Sequence, residues 1–192
     1  MSGIVGSINT RGSGIINLGS AADGNVFTGT GAGLPVGFET AAGGGKVLQV
    51  IAVNMTVASR TTTSASFVDI SGYTASITPA STDSKILCFA QINHGTSYQH
   101  HRAFKLLRDS TVIDWVQCYA GGSDIGQHLD TMTMSTVDSP ASTSELVYKI
   151  QWVAYASGTR YLNKNSSSAY SVSPSTLTLM ELDSATVVTV AS

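Results

Sequence analysis

The chain has 192 residues, 10 Lys and Arg against 12 Asp and Glu, and a formal net charge of −2. Charged residues are 11% of the total, where an ordinary domain carries about 25%. Hydrophobic residues reach 42%, which excludes a wholly disordered chain, and the near-neutral balance without a basic block argues against a dedicated nucleic-acid binder. The longest apolar run, Ile86 to Ala90, is far short of the ~18 residues of a spanning helix, so no membrane insertion is expected. Met1-Ser2-Gly3-Ile4 has neither a charged start nor an apolar core, so no secretory leader is expected. Serine and threonine fill the space that charge leaves, with 27 Ser and 22 Thr.

In chain order, residues 1–45 come first and read differently from the rest. They hold 13 of the 19 glycines, three charges (Arg11, Asp23, Glu39) and two aromatics. No helical or alternating period persists, yet small apolar clusters recur: Ile4 and Val5, Ile15 and Ile16, Leu18, Val26 and Phe27, Leu34 and Val36, and Phe38. A plain linker would lack them. The pattern predicts an extended anchoring arm that orders against a partner, with those ten residues as its contacts. Gly43-Gly44-Gly45 marks a hinge, and residues 46–192 form the second region.

From Lys46 onward the hydrophobic period is two. Val47, Gln49, Ile51, Val53, Met55 and Val57 predict one face of a first strand. Phe67 to Ile70 and Tyr73 to Ile77 flank a predicted turn at Ser71-Gly72, and Ile86, Cys88, Ala90 and Ile92 alternate next. Phe104 to Leu107 and Val112 to Tyr119 are separated by a hairpin-like Arg108-Asp109-Ser110, and a Thr-rich strand spans roughly His128 to Val137. Glu145 to Ala156 is the clearest strand, with Leu146, Tyr148, Ile150, Trp152, Ala154 and Ala156 on one face. Arg160 to Asn163, Thr176 to Leu182 and a terminal edge at Ala185 to Val190 complete the set. Eight to ten short strands with polar turns predict an all-β protein, a jelly-roll antiparallel sandwich. Threonine suits the wet face of such a sheet.

Chemistry is sparse. No phosphate loop, dinucleotide fingerprint, HExxH or GxSxG is present. His94, His100, His101 and His128 read as polar loop-end or interface residues, since adjacent strand residues such as His100 and His101 face opposite sides and cannot share a metal. Asp109 and Asp138 lie in turn contexts that favour backbone capping. Trp115 and Trp152 fall within strand patterns and are expected in the core rather than on a sugar platform. Cys88 and Cys118 lack CxxC spacing and read as buried thiols. No catalytic, cofactor or metal residue is assigned, and no enzyme is expected.

Several stretches resemble a domain recurring in virion structural and tail-fibre-like proteins of bacteriophages of aquatic bacteria. They are Gly45 to Val50, Ile77-Thr78-Pro79, Asp83 to Leu87, Phe104 to Arg108, Leu146 to Gln151 and Leu177 to Glu181, together with Met1 to Ser7 and Arg11 to Gly14 at the start. The strand order and length also resemble trimeric jelly rolls of the tumour-necrosis-factor and complement-head type. These resemblances imply a non-enzymatic virion protein made in the host cytoplasm. It would be a homotrimer that decorates or cements the capsid, or forms a head fibre, with residues 1–45 bound to the major capsid protein or another virion protein. The alternative they imply is a tail-fibre or receptor-binding module. Its polar loops, Asn93 to His100, Tyr119 to Gly126 and Asn163 to Tyr170, would then touch a host surface glycan or protein.

Overall fold

The computed structural model describes residues 25–28, 37–40, 47–56, 60–96, 101–119, 129–155, 158–165 and 173–183. They fall into two units. In the first, β1 (Asn25–Thr28) and β2 (Gly37–Thr40) pair antiparallel, with Phe27 opposite Phe38. A regular element inside the glycine-rich segment was not expected from its sequence pattern. Val26, Phe27 and Phe38 belong to this pair; the other predicted arm contacts, Ile4, Val5, Ile15, Ile16, Leu18, Leu34 and Val36, lie outside the described residues.

The second unit is all β, with no helix among the described residues. Its strands are β3 (Val47–Met55), β4 (Thr61–Thr62), β5 (Val68–Ile77), β6 (Lys85–Thr96), β7 (His101–Arg108), β8 (Thr111–Tyr119), β9 (Leu129–Asp138), β10 (Leu146–Val153), β11 (Arg160–Leu162) and β12 (Ser175–Leu182). One sheet has the order β5-β10-β7-β8; in the other, β3, β12, β6 and β9 lie side by side, β11 pairs with the last residues of β6, and β4 pairs with β11. All pairings are antiparallel. Eight long strands so interleaved between two sheets make the jelly roll that the alternation predicted. The expected terminal edge at 185–190 lies outside the described residues.

Alternation explains the core. Ile86, Cys88, Ala90 and Ile92 of β6 meet Leu146, Tyr148, Ile150 and Trp152 of β10 in one buried cluster, joined by Leu177 and Leu179 of β12 and by Met132 and Met134 of β9. Tyr73 crosses this layer: its hydroxyl lies 2.8 Å from the Gln91 carbonyl and 2.9 Å from that of Thr176, both on the opposite sheet. A fully buried hydroxyl needs such an acceptor, and here meeting that need pins sheet to sheet. Cys88 is a buried free thiol, pushed up to about 12 by burial and by nearby Asp138 and Asp114.

The predicted Ser71-Gly72 turn is instead a bulge inside one continuous strand. Asp69 pairs with Gln151 and Thr74 with Lys149, so five steps on β5 oppose two on β10. Gly72 adopts φ +81°, which absorbs the extra chain. The bulge also shifts parity, so Ile70 and Tyr73, three positions apart, both face the core.

A β-carbon on Gly72 would meet nothing closer than Met55 at 3.9 Å, so conformation alone sets the cost of adding one. Gly72→Ala is expected to lower the unfolding free energy by about 1–2 kcal/mol. Ala141, which holds φ +50° with a side chain already present, gives the reverse control: Ala141→Gly should gain up to about 1 kcal/mol. Urea unfolding of both variants checks the pair.

Candidate functional site

The sandwich has two ends and two outer faces, and each differs from its counterpart. Chain entry at Val47 and exit at Leu182 are paired at one end, the end that also holds the Asp109-Ser110 hairpin. Asp109, at φ +52°, returns to β10 through its own N–H (2.7 Å to the Val147 carbonyl) and its carboxylate (3.1 Å from the Val147 N–H), so the capping expected of it is met. Asp138 differs from expectation. It is buried at the end of β9, receives both 2.6 Å bonds from one Arg108 nitrogen, and accepts from the Tyr148 hydroxyl at 2.7 Å. Glu181, also buried, accepts from Gln49 Nε2 and from the Ala80 N–H, both at 2.6 Å. Burial would raise the Glu181 carboxyl, but the nearby Ser84 hydroxyl and the hydrogen bonds from Gln49 and Ala80 outweigh it and hold the group below its ordinary value. Together these groups close this end of the core.

The opposite end holds a positive cluster. Arg102 pairs with Asp130, Arg160 donates to the Thr96 hydroxyl, and His94 lies against the Phe104 ring at 4.9 Å between centroids. Asn93, Asn163 and Ser175 tie the strand ends together: Asn93 Nδ2 donates to the Pro174 carbonyl at 2.6 Å, the Ser175 hydroxyl donates to Asn163 Oδ1 at 2.6 Å and the Asn163 N–H to the Asn93 carbonyl at 2.7 Å. Asn93, His94, Thr96, Asn163 and Asn165 are therefore buried, which corrects the expectation that they begin exposed recognition loops. Residues 97–100, 120–126 and 166–170 of those loops, His100 among them, lie outside the described residues, as does His128. Among the described residues no group of three or more His, Cys, Asp and Glu side chains is placed to hold a metal.

The two outer faces matter most. On β3-β12-β6-β9 the register aligns rows across all four strands: Val50, Met180, Leu87 and Val137; then Ala52, Thr178, Phe89 and Ser135; then Asn54, Thr176, Gln91 and Thr133. None of these twelve residues is charged. Val50, Phe89 and Val137 are exposed by 50%, 43% and 41%, and Leu48 and Leu129 extend the same face at its two ends. On β5-β10-β7-β8 the corresponding row is Trp115, Lys105, Gln151 and Asp69. Asp69 accepts from Lys149 at 2.9 Å and from Gln151 at 2.7 Å, bonds that hold its carboxyl below the ordinary range. Trp115 is 58% exposed, contrary to the core position expected for it. β8 alternates, so the inward positions go to Val116 and Cys118, and Trp115 falls on the outer side beside Lys105. Trp152 is buried as expected. One face is thus ionic, and the three rows of the other are uncharged.

No protein-family model matches this sequence, and no curated protein matches it. Among solved structures, similarity is found to a structure of infectious bursal disease virus, Gx strain, at 11% identity, and to the crystal structure of the infectious bursal disease virus VP2 subviral particle, at 12%. Each has a TM-score of 0.36 and covers 82% of this chain, which spans 44% and 43% of theirs.

His94 gives a test of the positive end. Burial, with Arg102 and Arg160 nearby, pushes its imidazole down from 6.5 to about 3, so it is neutral in the fold and gains a proton on unfolding below pH 6.5. Its contribution to stability is complete above pH 6.5 and is lost as pH falls toward 3. At pH 5 the loss is about 2 kcal/mol relative to pH 7.5. Urea midpoints should fall more steeply with acid in the natural protein than in His94→Leu; equal slopes would contradict this placement.

Proposed function

We propose that this chain is a non-enzymatic virion structural protein, a homotrimer whose uncharged β3-β12-β6-β9 face is buried between copies. The observation that carries the reading is that face. Its four aligned strands present three successive rows without one charge, in a protein whose opposite sheet carries Asp69, Lys105 and Lys149 outward. Depletion of charge at the centre of a surface marks a protein interface, and the apolar row Val50, Met180, Leu87 and Val137 with Phe89 beside it is an association hazard on a free monomer. Trimeric jelly rolls of the type resembled bury one sheet face of each subunit, and this chain has one face suited to it. The virion setting rests on the resemblance of the ordered motifs named above.

In this reading residues 1–45 anchor the trimer to the major capsid protein or another virion protein. The second unit is entered at Val47, at the end opposite the Arg102 and His94 cluster, so an anchored domain would present that cluster outward. Capsid decoration, a cement protein or a head fibre fits a many-copy attachment of this kind. A second reading, a tail-fibre or receptor-binding module, is favoured by one separate observation, the exposed Trp115 on the ionic face.

Two experiments test the proposal. Sedimentation equilibrium of the full chain should give three times the 19.9 kDa protomer mass, and Leu87→Lys with Met180→Lys should give the protomer mass with an unchanged β-sheet spectrum. Deleting residues 2–45 should leave a trimer that no longer binds purified particles. A monomeric natural protein overturns the interface, and particle binding without the arm overturns the anchoring role.

A further inference from the structure

The exposed tryptophan does not stand alone. Trp115, Val112, Lys105, Phe67 and Tyr155 line a shallow depression of about 370 Å³, within the range of small-molecule clefts. Phe67 immediately precedes β5 and Tyr155 follows β10, and their rings meet edge to face, 6.1 Å between centroids at 87°. Lys105 Nζ lies 4.0 Å from the centre of the Phe67 ring. Three aromatic rings thus line one depression: register places Trp115 opposite Lys105, while Phe67 and Tyr155 flank the ends of β5 and β10, and Trp115 is left uncovered.

The charge in the depression is one-sided. Asp69, the acid in the same cross-strand row, is engaged by Lys149 and Gln151, and among the described residues Lys105 forms no ion pair. A flat exposed ring beside an ammonium that has no carboxylate partner among the described residues matches a ligand with a C–H face and a negative charge. We infer that this depression binds a carboxylated saccharide, with Trp115 stacked on the sugar ring and Lys105 paired with its carboxylate. The inference names a ligand class and a site on the sheet face, away from the loops; it draws on the receptor-binding reading only for where such a saccharide would be met.

The test uses full-length protein with trigalacturonic acid as the acidic probe and maltotriose as the neutral one. Trp152 is buried and Trp115 exposed, so a blue shift in tryptophan emission on titration reports Trp115. Trigalacturonic acid should produce that shift and a measurable heat of binding. Trp115→Ala should weaken binding about tenfold while Trp115→Phe retains most of it. Lys105→Gln should weaken the acidic probe about three- to fivefold and leave the neutral one unchanged. Failure of both sugars to bind, or binding indifferent to Trp115→Ala, overturns the site. Equal affinity for the two sugars overturns the charge preference, and Trp115 shielded from acrylamide quenching in the free natural protein assigns the face to protein contact instead. Apart from that last outcome, none of these results bears on the trimer or on particle attachment, so loss of saccharide binding and loss of the trimer are distinguishable.

Discussion

The structure depends on one constraint: a two-sheet sandwich has two outer faces, and strand alternation fixes what each can show. Once the apolar set of β6, β10 and β12 turns inward, every second residue must turn out. On β5-β10-β7-β8 those residues include Asp69, Lys105, Lys149 and Gln151, which water and mutual pairing satisfy. On β3-β12-β6-β9 the three central rows are Val, Leu, Met, Phe, Ala, Thr, Ser, Asn and Gln, with Lys85 only at the start of β6. The low charge count of the chain is therefore unevenly placed, and the shortage falls on one face. Slipping any of the four strands by one residue would bring that apolar row into the core and push core residues out, so the fold and the uncharged face are set by the same register.

Charge that is present within the core's margins is concentrated at the two ends. Arg108, Asp138 and Tyr148 close one end with Glu181, Gln49 and Ala80. Arg102, Asp130, Arg160 and Asn163 close the other. Buried charges of this kind contribute little net stability compared with apolar packing, yet removing one partner is costly. They close the ends of the apolar core and make the end geometry specific. The bulge at Gly72 serves the same order, since it lets Ile70 and Tyr73 share a face and places the Tyr73 hydroxyl against the opposite sheet.

Much of this was legible in the sequence because a period of two survives wherever one face is buried. β9 and β12 fall within a residue of the alternations expected for them, β6 runs on past Ile92 to Thr96 and β10 ends at Val153, and the Asp109-Ser110 hairpin carries its own turn chemistry. What alternation alone does not give is the meaning of a face. Trp115 reads as core because it is large and aromatic, but its parity relative to Val116 and Cys118 sends it outward. His94 reads as a loop-end group, but β6 continues to Thr96 and carries it into the interior. The bulge was read as a turn because Ser-Gly serves both, and only pairing with β10 distinguishes them. The uncharged face was equally hidden, because its rows assemble from four strands distant in sequence.

The central claim is that the β3-β12-β6-β9 face is covered by other copies of the chain while the Trp115 face is open. Oxidative footprinting of the full-length protein in solution, read by peptide mass spectrometry, measures both at once. The account predicts that Met180 and Phe89 react slowly and that Trp115 reacts quickly, with Leu87→Lys restoring fast reaction at Met180 and Phe89. Rapid oxidation of Met180 and Phe89 in the natural protein, unchanged by Leu87→Lys, would contradict it.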